Sequence, residues 1–382
     1  MRVQSLELRS QRIPFVERFA HSLKARAASD TIIASVCLND GTIGYGEGLP
    51  RPYVTGETVD SVLAHCGDVL WPALQETDLD ASRPIASLLA ALPPSLGPAG
   101  DSLRAHHAAR CAVEVAVIDA LLRSQKQSLG DVLPPRSKSV TYSGVITSGS
   151  PEKAAQRAQQ FRRFGIKHIK IKVRDQGAEA TVAAVREVVG PEACLRIDAN
   201  GAWTLEAAIR DLKALEAYDV ASCEEPLAAQ DWQELAALRQ AVNIPLMADE
   251  SFVTEGDLQA MLDHQAIDIL NIRLSKNGGL GPCLRTIERA RAAGLGFQIG
   301  AHVGETSILS AAGRHLAAHA QDALFVEGSY GTLLLSEDVT RTSLRFGHQG
   351  RGPLLRGPGL GIHVLEERVD RFTLERLRWE SV

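Results

Sequence analysis

The sequence predicts an α/β protein: a parallel (β/α) barrel preceded by a separate α+β domain. Three observations carry that expectation. From residue 140 onward, eight short apolar segments alternate with helical patterns, and their starts lie 21 to 30 residues apart. That spacing is one βα unit repeated eight times, more units than an open doubly wound sheet usually carries. Upstream, strand patterns are followed by runs of helix, the mark of a distinct α+β unit. The 382 residues leave room for both, since a barrel takes roughly 200 to 250 residues.

Taken in order, TIIASVCL, the turn NDGT and IGYGEG (31–48) read as a β-hairpin. TVDSVLAHCGDVLWPAL (58–74) and AARCAVEVAVIDALLRS (108–124) have helical spacing, and SLGPAGD (95–101) reads as a loop. LPPRSKS (133–139) closes this first domain, assigned to residues 1–130. The barrel, 131–350, has strand candidates at 141–146, 166–173, 194–198, 221–225, 245–249, 266–273, 296–300 and 323–327. SPEKAAQRAQQFRRF, TLEAAIRDLKALEAY and GPCLRTIERARAAG are among the intervening helices. The last segment, 351–382, is rich in glycine and proline and then strand-like (GLGIHVLEERVDRFTLE), and is expected to return to the first domain.

Composition excludes several classes. With 41 basic and 46 acidic residues and no basic stripe, the chain does not look like a nucleic-acid binder. The 45% apolar and 23% charged fractions are globular values. No run of 18 apolar residues suggests a membrane span, and MRVQSLELRSQRIP lacks the apolar core of a secretory signal. Six scattered cysteines read as free thiols of a cytoplasmic protein.

Barrel enzymes build their sites at the C-terminal ends of the strands. Here the strand ends carry Lys170 and Lys172, Asp198, Glu224, Asp249, Arg273, His302 and Glu327, in steps of 24 to 29 residues from Lys172 onward. Three carboxylates on neighbouring strands would repel one another, and a hard divalent cation, Mg²⁺, resolves that repulsion. Taken singly, each carboxylate could instead cap the next helix. Lys170 and Lys172, two apart on a strand, share a face.

The motifs K-I-K (170–172), RIDAN (196–200), EEP (224–226), ADES (248–251) and R-L-S-K-N-G-G (273–279), with GYGEGLPRPYVTGET (44–58), resemble the enolase superfamily and its muconate-lactonizing, mandelate racemase-related subgroup. The resemblance runs essentially end to end. It implies a modified (β/α)₇β TIM barrel under an N-terminal α+β capping domain, with the C-terminal segment rejoining the cap. It implies Mg²⁺ on Asp198, Glu224 and Asp249, Lys172 as acid or base, and Lys170 holding the substrate carboxylate. It also implies that Asn200 and Glu250 support the ligands and that Glu327 is a charge partner. The subgroup's second lysine base is Arg273 here, and a guanidinium is a poor base. Lys276 and His302 therefore stand open as second acid–base groups, His302 equally as a loop histidine. His21, Lys24 and Arg26, within 18–28, either reach an anionic substrate or form a polar surface loop. His106 and His107 read as the start of a helix, and Trp203 and Trp232 as packing on the barrel.

The expected function is Mg²⁺-dependent abstraction of the α-proton of a small carboxylate through an enediolate, in a muconate cycloisomerase-like lyase or isomerase. A single lysine base, Lys172, favours one-sided chemistry, with Arg273 as an electrostatic group. The alternatives are a racemase or epimerase of amino-acid or dipeptide derivatives, and a barrel without activity. A homo-oligomer is expected, with no nucleic-acid or membrane partner.

Overall fold

The computed structural model describes residues 1–20, 25–77, 79, 104–147, 149–174, 177–228 and 230–381. His21, Lys24 and the loop expected at 95–101 lie outside these residues. The N-terminal part opens with β1 (Val3–Ala20), β2 (Ala25–Leu38) and β3 (Ile43–Gly48), followed by α1 (Val59–His65), α2 (Trp71–Glu76), α3 (His107–Ser124) and α4 (Leu129–Val132). The chain's last strand, β14 (Thr373–Glu380), pairs antiparallel with β1, giving a sheet ordered β14-β1-β2-β3. The sequence reading contained no β1, because Arg9 and Gln11 are buried beside Leu6, Leu8 and Ile13 and blur the alternation. Register from Val3↔Leu38 to Ala20↔Ala25 turns most of the expected loop at 18–28 into the end of a long hairpin.

Helix α3 lies on β3 with unusual closeness. Gly44, Gly46 and Gly48 face a ridge of Ala108, Ala112, Ala116 and Ala120, and a Cβ at Gly46 would stand 2.0 Å from the Ala112 carbonyl oxygen. Every α3 residue from His107 to Leu122 is buried. The reason is that α3 divides two cores: Cys111, Val115, Ile118 and Leu122 join the barrel core, while Ala112, Val113, Ala116 and Ala120 join the core under the sheet.

After β4 (Ser139–Thr141), eight parallel strands follow with their helices. They are β5 (Gly144–Ile146), α5 (Pro151–Phe164), β6 (His168–Lys172), α6 (Ala178–Val189), β7 (Cys194–Asp198), α7 (Leu205–Leu215), β8 (Val220–Glu224), α8 (Trp232–Ala241), β9 (Leu246–Ala248), α9 (Glu255–His264), β10 (Ile269–Ile272), α10 (Leu274–Asn277), α11 (Leu280–Ala292), β11 (Gly296–Ile299), α12 (Ser307–His319) and β12 (Phe325–Val326). They run in sequence order around the barrel, and the Ser143 N–H donates to the Val326 carbonyl (2.8 Å) across the gap between first and last. Ser150, Thr204, Asp231, Thr254 and Thr306 cap the helices that follow them with side-chain oxygens.

All eight expected strands are present, with two departures near the ends. The expected segment 141–146 is two strands: β4 pairs with β13 (Arg351–Pro353), and β5 joins the barrel only from Gly144. The stretch expected to be strand-like at 359–375 instead contains helix α13 (Glu366–Phe372) before β14. Val369 and Phe372, three apart, give it one apolar side, and Glu366 and Glu367 favour its N-terminus. No barrel helix follows β12; residues 327–350 run there as turns and short 3₁₀ pieces. All six cysteines are free thiols, and among the described residues no helix is long and apolar enough to cross a membrane.

Candidate active site

Inward-facing strand residues form two layers, because side chains two apart share a face. The lower layer holds Lys170, Arg196, Ser222, Asn271 and Gln298, all buried. The upper layer, at the mouth, holds Lys172, Asp198, Glu224, Asp249 and Arg273, with His302 and Glu327 beside them. Lys170, Lys172, Asn200, Glu250, Arg273, His302 and Glu327 all line one cavity of about 560 Å³.

The three carboxylates are buried to 1% exposure or less. Cations span them. Lys170 Nζ lies 3.4 Å from Asp198, 3.2 Å from Glu224 and 3.0 Å from Glu327. The Arg273 guanidinium reaches Glu224 at 3.5 Å and also contacts Asp249. Neutral donors join these cations, Asn271 at Glu224 (2.9 Å) and the Asn200 N–H at Asp198 (3.0 Å), and among the described residues no three acidic, histidine or cysteine side chains close around a common point. The donor chemistry fits a hard divalent ion: three buried, all-oxygen, anionic groups on neighbouring strands that demand concentrated positive charge. Burial pushes Glu224 up, but Lys170, with Arg273 and Arg196, outweighs it and leaves its carboxyl below the usual range. Burial likewise pulls on Lys170, yet Glu224, Glu327 and Asp198 hold its ammonium firmly charged.

Lys172 donates to Asp198 Oδ2 (3.1 Å) and Asn200 Oδ1 (2.7 Å), which aims its ammonium at the cavity. Asn200 donates in turn to Glu250 (3.3 Å). Burial and the nearby Glu225 push Glu250 up to about 8. Asn200 and Glu225 follow their strands with left-handed backbone, at φ 47° and 41°. Glu225 is held there by the N–H groups of Asp249 (2.8 Å) and Ser251 (3.0 Å), so it fixes the end of β9 rather than facing the cavity.

Lys276 and His302, the two open acid–base groups, differ sharply. Lys276 is fully buried, with its Nζ 2.8 Å from the Asp249 carbonyl, 3.0 Å from Asp249 Oδ1 and 2.7 Å from the Asn271 carbonyl, and burial, then Arg273, hold its amine well below the ordinary lysine value. It braces the Asp249 turn. His302 lines the cavity, and neither ring nitrogen has a partner among the described residues. Burial, and then Arg273 and Arg51, hold its imidazole well below the ordinary value and therefore neutral.

Glu327 accepts from Lys170 and from Arg196 Nη2 (3.2 Å). Arg26 turns to Asp30 (3.6 Å) and lies over the Tyr53 ring, which lines the cavity. His106 stacks on His65 at 3.7 Å and His107 bonds the Lys276 carbonyl (2.6 Å), so both serve packing. Trp203 is buried and Trp232 half-buried against the barrel core.

Sequence reasoning missed Arg196, Asn271 and Gln298. Asn271 donates to Glu224 (2.9 Å), and Arg196 bonds Ser143 (2.9 Å) and contacts Gln298. The signal was present: each sits mid-strand among apolar neighbours, Arg196 and Asn271 two residues before Asp198 and Arg273. Glu114 was missed as well. Its carboxylate fills the space where a side chain at Gly279 (φ 110°) would begin, a Cβ there standing 1.6 Å from Glu114 Oε2, which accounts for a glycine at that position.

Comparison with known proteins agrees with this architecture. Residues 153–368 match the family model described as Enolase C-terminal domain-like. The chain is 29% identical over 324 residues to the hydrophobic dipeptide epimerase of Enterococcus faecalis, covering 83% of this chain and 87% of that protein. It is 27% identical over 379 residues to muconate cycloisomerase 1 of Rhodococcus opacus, covering 97% and 98%. The crystal structure of a dipeptide epimerase from Cytophaga hutchinsonii, complexed with Mg and the dipeptide D-Ala-L-Val, superposes with a TM-score of 0.86 at 26% identity, covering 99% of this chain and all of that one. The chain belongs to the enolase superfamily, as an enzyme of its mandelate racemase- and muconate cycloisomerase-like isomerases.

Proposed function

We propose that the protein is a Mg²⁺-dependent racemase or epimerase that moves the α-proton of a small chiral carboxylate, with Lys172 and His302 as the two acid–base groups. The observation that carries this reading is His302: a neutral imidazole lining the same cavity as Lys172, both nitrogens unpartnered among the described residues. Asp198, Glu224 and Asp249 are the residues that would hold the metal. Bound Mg²⁺ supplies Lewis-acid stabilisation of the charge that develops on the substrate carboxylate. The chain's own residues do the rest. Neutral His302 can accept the α-proton. Lys172, held as a donor by Asp198 and Asn200, can return a proton from its own side. Lys170 and Arg273 add fixed positive charge where the substrate carboxylate gathers negative charge.

A second reading is one-sided elimination or cycloisomerisation at Lys172 alone. It is favoured by Arg273, which stays charged where the subgroup places a second lysine.

Single enantiomers of N-acyl amino acids incubated in D₂O with Mg²⁺ separate the two. Two-sided chemistry washes deuterium into both enantiomers and interconverts them, and His302→Asn lowers interconversion at least a hundredfold. Exchange confined to one enantiomer in the wild type would instead establish the one-sided reading.

A further inference from the structure

Lys172 and His302 are anchored differently. Lys172 donates to Asp198 and Asn200, both barrel residues. The His302 ring makes no hydrogen bond among the described residues, so the backbone that carries it and the packing around it set its place. That backbone is the turn between β11 and α12, residues 300–306, and the N-terminal cap grips it at three points. Arg51, just past β3, donates to the Val303 carbonyl (2.9 Å), next to His302. Ser29, on β2, donates through Oγ to the Gly304 carbonyl (2.7 Å). Glu47, on β3, accepts from the Thr306 N–H (3.0 Å) and hydroxyl (2.7 Å). Within the turn, the His302 N–H donates to Glu305 (2.6 Å).

Arg51 is the least expected of these grips. It is only 1% exposed, and its other bonds go to the carbonyls of Asp30 (3.0 Å) and Pro50 (2.9 Å). One guanidinium thus ties β2, the chain leaving β3 and the turn that carries His302. Its planar fork serves several fixed acceptors at once, which the compact ammonium of lysine does less well. Burial draws it down to about 10, so it stays charged at neutral pH. Burying that charge is costly, but a charged N–H makes a stronger bond to a carbonyl than a neutral one does. Precision matters at this turn, because a misplacement of about 1 Å arising away from the chemistry can cost on the order of a hundredfold in rate.

Resting on the two-sided reading above, we propose that Arg51 is a positioning residue for His302. The cap, through this guanidinium and Ser29, holds the imidazole at one face of the substrate α-carbon, while barrel residues hold Lys172 at the other.

Carbethoxylation by diethyl pyrocarbonate at neutral pH, mapped by mass spectrometry in the full chain with Mg²⁺, tests the clamp without a substrate. In Arg51→Met, His302 should react at least about fivefold faster than in the wild type, while His107 and His315, buried elsewhere in the fold, stay within about twofold. Arg51→Lys, which keeps a charged donor, should recover part of the protection. An unchanged His302 rate in Arg51→Met overturns the proposal, as does a rise that His107 and His315 share. Should Arg51→Met not fold, Ser29→Ala stands in for it under the same criteria, with a rise at His302 of about twofold or more.

Deuterium exchange into single enantiomers of N-acetylalanine tests the chemistry separately. Arg51→Met should lower, by at least about tenfold, exchange of the enantiomer that His302→Asn suppresses, and leave the other within about threefold. Equal loss in both enantiomers, or none in either, overturns the positioning role. If His302→Asn suppresses neither enantiomer, the two-sided reading fails, and a selective rise in His302 reactivity still supports the clamp.

Discussion

Buried carboxylates gather in two regions, around α3 and at the barrel mouth, and Glu224 and Glu327 at the mouth shift in the opposite direction to those around α3. Around α3, Glu47 accepts the N–H groups of Thr306 (3.0 Å) and Leu309 (3.0 Å), and Glu57 those of Ala108 (2.9 Å) and Ala109 (3.1 Å). Glu114 accepts from Gly281 (3.2 Å) and Arg110 (3.1 Å), and Asp119 from Leu360 (2.8 Å), Tyr45 (2.9 Å) and Arg123 (2.8 Å). All four are pushed up, with burial the largest cause. At the mouth, Glu224 and Glu327 are as deeply buried, yet both end below the usual range because Lys170, Arg196 and Arg273 face them. Glu225 adjoins Glu224 in the chain but is held mainly by the neutral donors of Asp249 and Ser251, and burial lifts it to about 7. Three cations facing one carboxylate, as at Glu224 and Glu327, outweigh burial, whereas the single arginine beside Glu114 or Asp119 does not. Of the first kind, Glu47, Glu57 and Glu114 pin the N-termini of helices, while Asp119 ties α3 to β3 and Leu360; of the second, Glu224 and Glu327 keep negative charge ready for a cation.

The largest effect should come from breaking the first kind. Glu114→Ala leaves Arg110 and the Gly281 N–H buried with a partner removed, and should destabilise the fold by about 3 to 5 kcal/mol in urea unfolding. A loss under 1 kcal/mol would mean that water replaces the carboxylate easily. Next comes pH. Glu57 rises from 4.5 to about 7 on folding, so the folded state holds its proton more tightly than the unfolded one. Its contribution is full below about pH 4.5 and fades as pH rises through about 7, by about 3 kcal/mol in all. Glu57→Gln should flatten the stability profile between pH 5 and 8; an unchanged profile would place the titration elsewhere.

The second kind is probed by metal. Mg²⁺ at a hundred times its dissociation constant should stabilise the wild type by about 2.7 kcal/mol. Asp249→Asn should lose most of that increment and Glu57→Gln should keep it; equal increments in all three would place the ion outside the mouth. The smallest change sharpens the contrast. Thr254 caps α9 through the Asp257 N–H (3.2 Å), a neutral bond away from both regions. Thr254→Ala should cost only about 1 kcal/mol in the same unfolding assay, with no effect on the Mg²⁺ increment.

The barrel was legible because its signal is periodic. An apolar strand with an ionisable residue at or just past its end recurs seven times in eight strands, and Lys172, Asp198 and Glu224 stand at the ends of their strands where that rhythm puts them. What stayed hidden depends on contacts between distant segments. β1 is stabilised by pairing with β14 more than 350 residues away, and no local pattern announces that. Lys276 and His302 were equivalent in sequence; only burial and partners separate a brace from an unpartnered imidazole.

Helix α3 has one further consequence. It lends one face to the core under the sheet and the other to the barrel, and Gly44, Gly46 and Gly48 fix it against β3 with no slack. Neither half can come apart without exposing a wall of the other, so the chain should melt as one cooperative unit. The slowest-exchanging amides should then lie along α3 itself, in the N-terminal third of the sequence rather than in the strands that carry the catalytic groups. Stability and chemistry are thereby housed apart: the mouth can change its side chains while the fold is guarded elsewhere.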